Sequence, residues 1–105
     1  MSVAGFVYLW EYVVKDEAVA TFRRIYGPEG DWARLFSRSD DYLRTELYQD
    51  VDEPTRFITC DFWISRAARD AFRLQFREDF DRLDHRCEEL TVEERCLGDF
   101  NASTR

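Results

Sequence analysis

Apolar residues recur along this chain at two spacings: every second position in four stretches, every third or fourth in two others. These are the periods of strands and helices. In the first stretch, about residues 5–14, Phe6, Tyr8, Trp10, Tyr12 and Val14 fall on one parity and Val7, Leu9 and Val13 on the other, with Glu11 the single charge. A strand apolar on both parities is covered on both faces. Lys15-Asp16-Glu17 then opens a helix with Asp16 as its N-cap, and Ala18, Phe22, Ile25 and Tyr26 make its inward stripe. Gly27-Pro28-Glu29-Gly30 breaks that helix. Asp31 caps a short second turn that points Trp32, Leu35 and Phe36 inward.

Residues 37–41 read as loop and residues 42–50 as a second strand, with Leu43, Thr45 and Leu47 on one face and Tyr42, Arg44, Glu46 and Tyr48 on the other. Asp52-Glu53-Pro54-Thr55 is a turn, since proline cannot sit in a central strand. The third strand, residues 56–64, alternates Ile58, Cys60, Phe62 and Ile64 against Phe57, Thr59, Asp61 and Trp63. Ser65 caps one long helix to about Leu90, striped by Ala68, Phe72, Phe76, Phe80, Leu83, Cys87 and Leu90. Arg66/Asp70, Arg77/Asp81 and Glu78/Arg82 pairs decorate its wet side. A last strand covers residues 91–97, and Gly98 ends it.

The order is βαββαβ, an α+β, ferredoxin-like arrangement: a four-stranded antiparallel sheet with helices on one face, as a single domain over residues 1–105. Two helices cover one face only. The doubly apolar first strand therefore predicts a homodimer through the open sheet face.

Composition narrows the function classes. A net charge of −7 and a pI near 4.7 argue against nucleic acid and against an anionic membrane surface. No apolar run approaches the ~18 residues of a membrane span, and the first residues lack a signal-peptide pattern, so a cytoplasmic protein is expected. Cys60, Cys87 and Cys96 lack CxxC spacing and read as three buried thiols, with neither a disulfide framework nor a metal site. His85 falls off the apolar stripe and reads as a solvated helix residue, which leaves hydrolytic triads and metal or haem ligation without support.

Candidate chemistry follows from strand faces. The all-apolar parity of the third strand (Ile58, Cys60, Phe62, Ile64) is expected under the helices, leaving Thr59, Asp61 and Trp63 on the open face beside Arg44, Glu46 and Tyr48. Such a set forms an apolar pocket with a few convergent polar groups. A carboxylate shielded there, Asp61 or Glu46, acquires the raised pKa of a general base. Pairing of Arg44 with Asp61 as a purely structural bridge is the competing reading. In strand one, either Glu11 with Leu9, or Trp10 with Tyr12, faces the same side; the bulk of the aromatic set favours Glu11.

Asp61-Phe62-Trp63-Ile64-Ser65 followed by Ala67, Ala68 and Phe72 resembles the antibiotic biosynthesis monooxygenase family of dimeric α/β barrels, a likeness covering about residues 5–98. The Tyr26-Gly27-Pro28 and Gly30-Asp31-Trp32 segment is similar to a bacterial subgroup of it. The resemblance implies homodimers and, in some members, oxygenation of phenolic polyketides with neither metal nor flavin, the substrate supplying the electrons. It implies a small aromatic or polyketide-like substrate in a cavity between sheet and helices, and it carries Trp63 onto the family's cavity tryptophan. Asp61, Trp63 and Tyr48 are then the catalytic candidates, and Arg44, Glu46, Thr59 and Glu11 the substrate contacts. Quinone-forming members have Asn four residues before that Trp and Tyr six after; this chain has Thr59 and Arg69. Haem-degrading members pair a strand-one Asn with a helix His nearer the Trp, and both are missing here. A non-catalytic dimeric binding or stress-response module is the alternative.

Overall fold

The computed structural model describes residues 5–103. Four strands, β1 (Phe6–Val14), β2 (Tyr42–Gln49), β3 (Arg56–Trp63) and β4 (Thr91–Asn101), form one antiparallel sheet in the order β2-β3-β1-β4. Four helices, α1 (Val19–Tyr26), α2 (Asp31–Phe36), α3 (Arg66–Gln75) and α4 (Arg77–Cys87), pack on one face of it. The ferredoxin-like βαββαβ order read from the periodicities is the fold observed.

Burial of rings holds the two layers together. β1 and β3 lie side by side with Phe6 opposite Trp63, Tyr8 opposite Asp61, Trp10 opposite Thr59 and Tyr12 opposite Phe57. All eight point toward the helices. From Phe57 the aromatic contacts run through Phe22, Tyr26, Trp32, Phe36 and Trp63 to Phe72, with successive centroids 4.1–6.0 Å apart. Edge-to-face and tilted pairs of this kind each add about 0.5–1.5 kcal/mol to the area they bury.

Several local expectations are corrected. Asp16 starts a 3-10 turn over Asp16–Ala18, and its side chain makes no cap bond. Asp31 is the first residue of α2, not its cap; the cap position falls to Gly30, where a Cβ would run into the Ile25 and Arg24 carbonyl oxygens. Asp31 instead receives Arg34 at 3.1 Å and Arg86 at 2.6 Å, tying α4 to α2. The long C-terminal helix bends at Phe76, where φ −110° and ψ 31° leave helical values although Phe76 N–H still reaches the Phe72 carbonyl at 2.9 Å. The bend divides the work. α3 stacks Phe72 on Trp63 of the sheet, while α4 lays Phe80 against Trp32 at 5.0 Å.

The wet-side pairs also differ. Arg77 meets Asp81 at 4.0 Å, but Arg66 reaches Asp99 and Arg82 reaches Asp79. Gly98 does not end β4. The strand continues to Asn101 through a bulge after Leu9, with Gly98 at φ +128°, where a side chain would be strained. The extension brings Asp99 to Arg69 at 2.9 Å, and Arg69, buried on α3, stacks over Tyr8 at 4.2 Å. Of the thiols only Cys87 is buried; Cys60 is half-buried and Cys96 exposed.

Ser65 does cap α3, its Oγ accepting the Ala68 N–H at 3.1 Å. Ser65→Ala removes that acceptor and is expected to cost about 1 kcal/mol, read as an earlier urea midpoint at unchanged slope. An unmoved midpoint would show that the bond contributes nothing.

Candidate functional site

The parity of β3 decides which side chains can meet. Phe57, Thr59, Asp61 and Trp63 are buried under the helices, and Ile58, Cys60 and Phe62 lie on the open face. This reverses the expectation from sequence. A face holding Phe57 and Trp63 fills the deep space beneath the helices better than the smaller all-apolar face does, and Thr59 and Asp61 go inward with those rings. In β2 the expected split stands for Arg44, Glu46 and Tyr48, which lie on the open face. A register shift between Tyr42 and Arg44 turns Tyr42 inward beside Trp63, contrary to the simple alternation.

The residues expected to converge are therefore separated by the thickness of the sheet. On the open face Arg44 pairs with Glu46 at 2.9 Å, Tyr48 donates to Glu46 at 2.6 Å, and the Arg44 guanidinium lies 3.9 Å over the Phe62 ring. Arg44 does not bridge Asp61. Glu11 shares that face through its neighbour Ile58, and Arg56 and Arg95 clamp its carboxylate and hold its pKa below the usual range. Arg44, Glu46, Glu11, Arg56 and Arg95 thus each have a charged partner. Trp63 faces the helices, 1% exposed, packed among Phe36, Tyr42 and Phe72, its indole N–H without a hydrogen-bond partner among the described residues. It is a core residue one layer behind the cavity. Truncating it to Ala would cost about 3–5 kcal/mol of stability before any catalytic effect could be read.

Asp61 is the residue the fold singles out. It is 8% exposed, and its Oδ1 accepts the Thr45 hydroxyl at 2.7 Å. Because that proton points at Asp61, the 2.6 Å contact between Tyr42 and Thr45 has the Tyr42 O–H donating. A relay from phenol to hydroxyl to carboxylate results. Oδ2 has no protein hydrogen-bond partner among the described residues. Burial lifts the Asp61 pKa from 3.8 to about 6, against the opposing pull of the Thr45 bond.

Asp61 and Thr59 form the floor of a cavity of about 160 Å³ between sheet and helices. Tyr8, Trp10 and Tyr12 of β1 wall one side; Tyr26, Trp32, Phe36 and Phe80 of the helices wall the other. Arg73, Asp84 and Glu94, all exposed, stand at its mouth. Burial holds the Tyr12 phenol well above its ordinary pKa, so it stays a neutral donor. Thr45 and Tyr42 escaped the sequence reading, and Trp10 with Tyr12 entered it only as the less favoured alternative to Glu11. The signal was the shared parity of Asp61 with Phe57 and Trp63. His85 is exposed near Glu88, and among the described residues no three His, Cys, Asp or Glu gather as metal ligands. No helix among the described residues is long and apolar enough to cross a membrane.

No family model and no curated protein matches the chain. Solved structures do. SnoaB, a cofactor-independent oxygenase from Streptomyces nogalater, superposes with a TM-score of 0.76 at 18% identity, over 97% of this chain and 96% of that one. Candidate antibiotic biosynthesis monooxygenases from Bordetella bronchiseptica (TM-score 0.70, 16% identity, 92% and 95% covered) and Nitrosomonas europaea (0.66, 15%, 99% and 95%) superpose as well. At such identities the likeness is one of fold. This chain has the fold of the antibiotic biosynthesis monooxygenases, and that is the family it resembles.

Proposed function

We propose that the protein is a cofactor-independent, monooxygenase-like enzyme acting on a small aromatic substrate held between sheet and helices. One observation carries this reading: a buried carboxylate, Asp61, with one oxygen held by Thr45, lines an aromatic cavity. A carboxyl group with a pKa of about 6 is ionised at neutral pH and close enough to it to work as a general base. It would take the proton of a phenol, and the phenolate, walled by rings and shielded from water, supplies electrons to dioxygen. The balance is complete without a further reductant. A phenol and dioxygen give a para-quinone and water, with one oxygen atom bound to the ring carbon and the other leaving with the ring and hydroxyl hydrogens. All four electrons come from the substrate. The shared fold with SnoaB supports the assignment.

Volume sets the substrate size. The 160 Å³ cavity is near the roughly 150 Å³ that accommodates benzene, and below the ~300 Å³ at which drug-sized pockets begin. A single ring fits; a fused polyketide does not without opening the helices. The same small volume favours, as a second reading, a non-catalytic module that only binds such a ring.

We further propose that the protein is a homodimer through its open sheet face, where Val7, Leu9, Ile58, Phe62 and Phe100 form an apolar surface with Phe100 46% exposed. The Arg44–Glu46 and Glu11–Arg95 pairs frame that surface and would set register between copies.

Three measurements test these proposals. Single-ring phenols should drive oxygen uptake with kcat/KM rising through about pH 6 and levelling above it, and Asp61→Asn should lose about 100-fold or more. Uptake that is flat from pH 5 to 8, or unchanged in the variant, removes Asp61 from catalysis; bound phenol without uptake leaves the binding module. Stability should show the reverse dependence on pH. A carboxyl group whose folded pKa exceeds its unfolded one favours the fold while protonated, and that gain is lost as pH rises from 3.8 through about 6. Asp61→Asn should therefore stabilise the protein at pH 7 by up to about 3 kcal/mol and by little at pH 4, in urea melts. Finally, Leu9→Arg with Phe62→Arg should convert a dimer to a monomer in sedimentation; a wild-type monomer ends the dimer proposal.

A further inference from the structure

We infer that the cavity selects a single-ring phenol bearing an ammonium group over its neutral and carboxylate counterparts. The inference rests on reading this cavity as the substrate site, and it adds a charge class to that reading. Two independent features point the same way.

The first is the wall. On the strand side Trp10 and Tyr12 stand with centroids 6.1 Å apart and planes within 23° and Tyr8 meets Trp10 edge-on at 6.0 Å; on the helix side Trp32 meets Phe80 at 5.0 Å. Aromatic faces carry negative potential, and several such faces around one void hold organic cations.

The second is the charge inventory. Asp61 lies at the floor and Asp84 and Glu94 at the mouth, against Arg73 as the one cation among the described residues that line the cavity. Arg73 is already engaged, its guanidinium 4.5 Å over the Phe80 ring and one N–H donating to the Tyr8 hydroxyl at 3.3 Å. Burial, with Glu88 and Asp81 nearby, raises the Asp84 pKa, against the pull of Arg73 and His85. An ammonium between Asp84 and Glu94 meets carboxylates and ring faces. A carboxylate in that place meets two like charges.

The two ends of the ligand are then distinct. Its phenol reaches the free oxygen of Asp61, and its ammonium remains at the partly wet mouth, so the cation is never fully desolvated. This division keeps Asp61 available as a base, because the ligand charge is balanced at the rim.

Three probes of nearly equal size test this: tyramine, 4-ethylphenol and 3-(4-hydroxyphenyl)propionate, measured by equilibrium dialysis at pH 7.5 and low salt. Tyramine should bind about 10-fold tighter than 4-ethylphenol, and about 100-fold tighter than the carboxylate. Asp84→Asn with Glu94→Gln, both exposed positions, should bring tyramine and 4-ethylphenol within about 2-fold and leave the neutral probe unchanged; added salt should narrow the gap in the wild type. Equal affinities, a tighter carboxylate, or no binding of any probe overturns the inference. Oxygen uptake is read separately, on single-ring phenols unsubstituted para to the hydroxyl (3-(2-aminoethyl)phenol and 3-ethylphenol), because the three binding probes carry their side chain on the carbon that the second oxygen must take. Charge selectivity without uptake sinks the oxygenase reading alone, and uptake without charge selectivity sinks this inference alone.

Discussion

Neighbouring side chains of a strand point to opposite sides of the sheet, and in β1 and β3 this alternation governs nearly everything else. Phe6, Tyr12, Phe57 and Trp63 need the depth beneath the helices, and all four are buried there. Their parity carries Tyr8, Trp10, Thr59 and Asp61 inward as well. Asp61 is buried because its strand neighbours must be, not because the core has use for a carboxylate.

That placement is costly for a charge, and the structure offsets it only in part. One hydrogen bond from Thr45, itself held by Tyr42, meets one oxygen. The second has no hydrogen-bond partner among the described residues, and Asp61 lines a void that rings wall but do not fill. A fold optimised for stability alone would place an apolar residue here, since a half-satisfied buried charge is worse than none. A carboxylate at such a position is what the proposed role of Asp61 as a base calls for.

The other face of the sheet follows the same alternation with a different result. Val7, Leu9, Ile58 and Phe62 are left outward by the rings that go inward. Around them the charges are mutually paired, Glu11 by Arg56 and Arg95, Glu46 by Arg44 and Tyr48. Groups so fully engaged are poor catalysts and good frames. The two faces thus differ in kind, an aromatic hollow with one buried carboxylate on one side and an apolar plate framed by paired charges on the other.

The element order, the Ser65 cap and the aromatic inward face of β1 could be read from the chain by itself, because period and capping are local properties. The bulges that turn Tyr42 inward and carry β4 past Gly98 to Asn101 depend on which strands pair, so no local pattern marks them. The bend at Phe76 likewise reflects where α4 must go to reach Trp32. The site was half legible. Asp61 and Thr59 stood out as polar residues in an apolar strand, but hydrophobicity alone put them on the wrong side, since it ranks Ile58, Cys60 and Phe62 as the more buried set. Only the assembled layers show that ring volume, not apolarity, fills the space under the helices. Sequence determined which residues alternate; tertiary packing decided which alternate faces inward, and with it which chemistry the protein can reach.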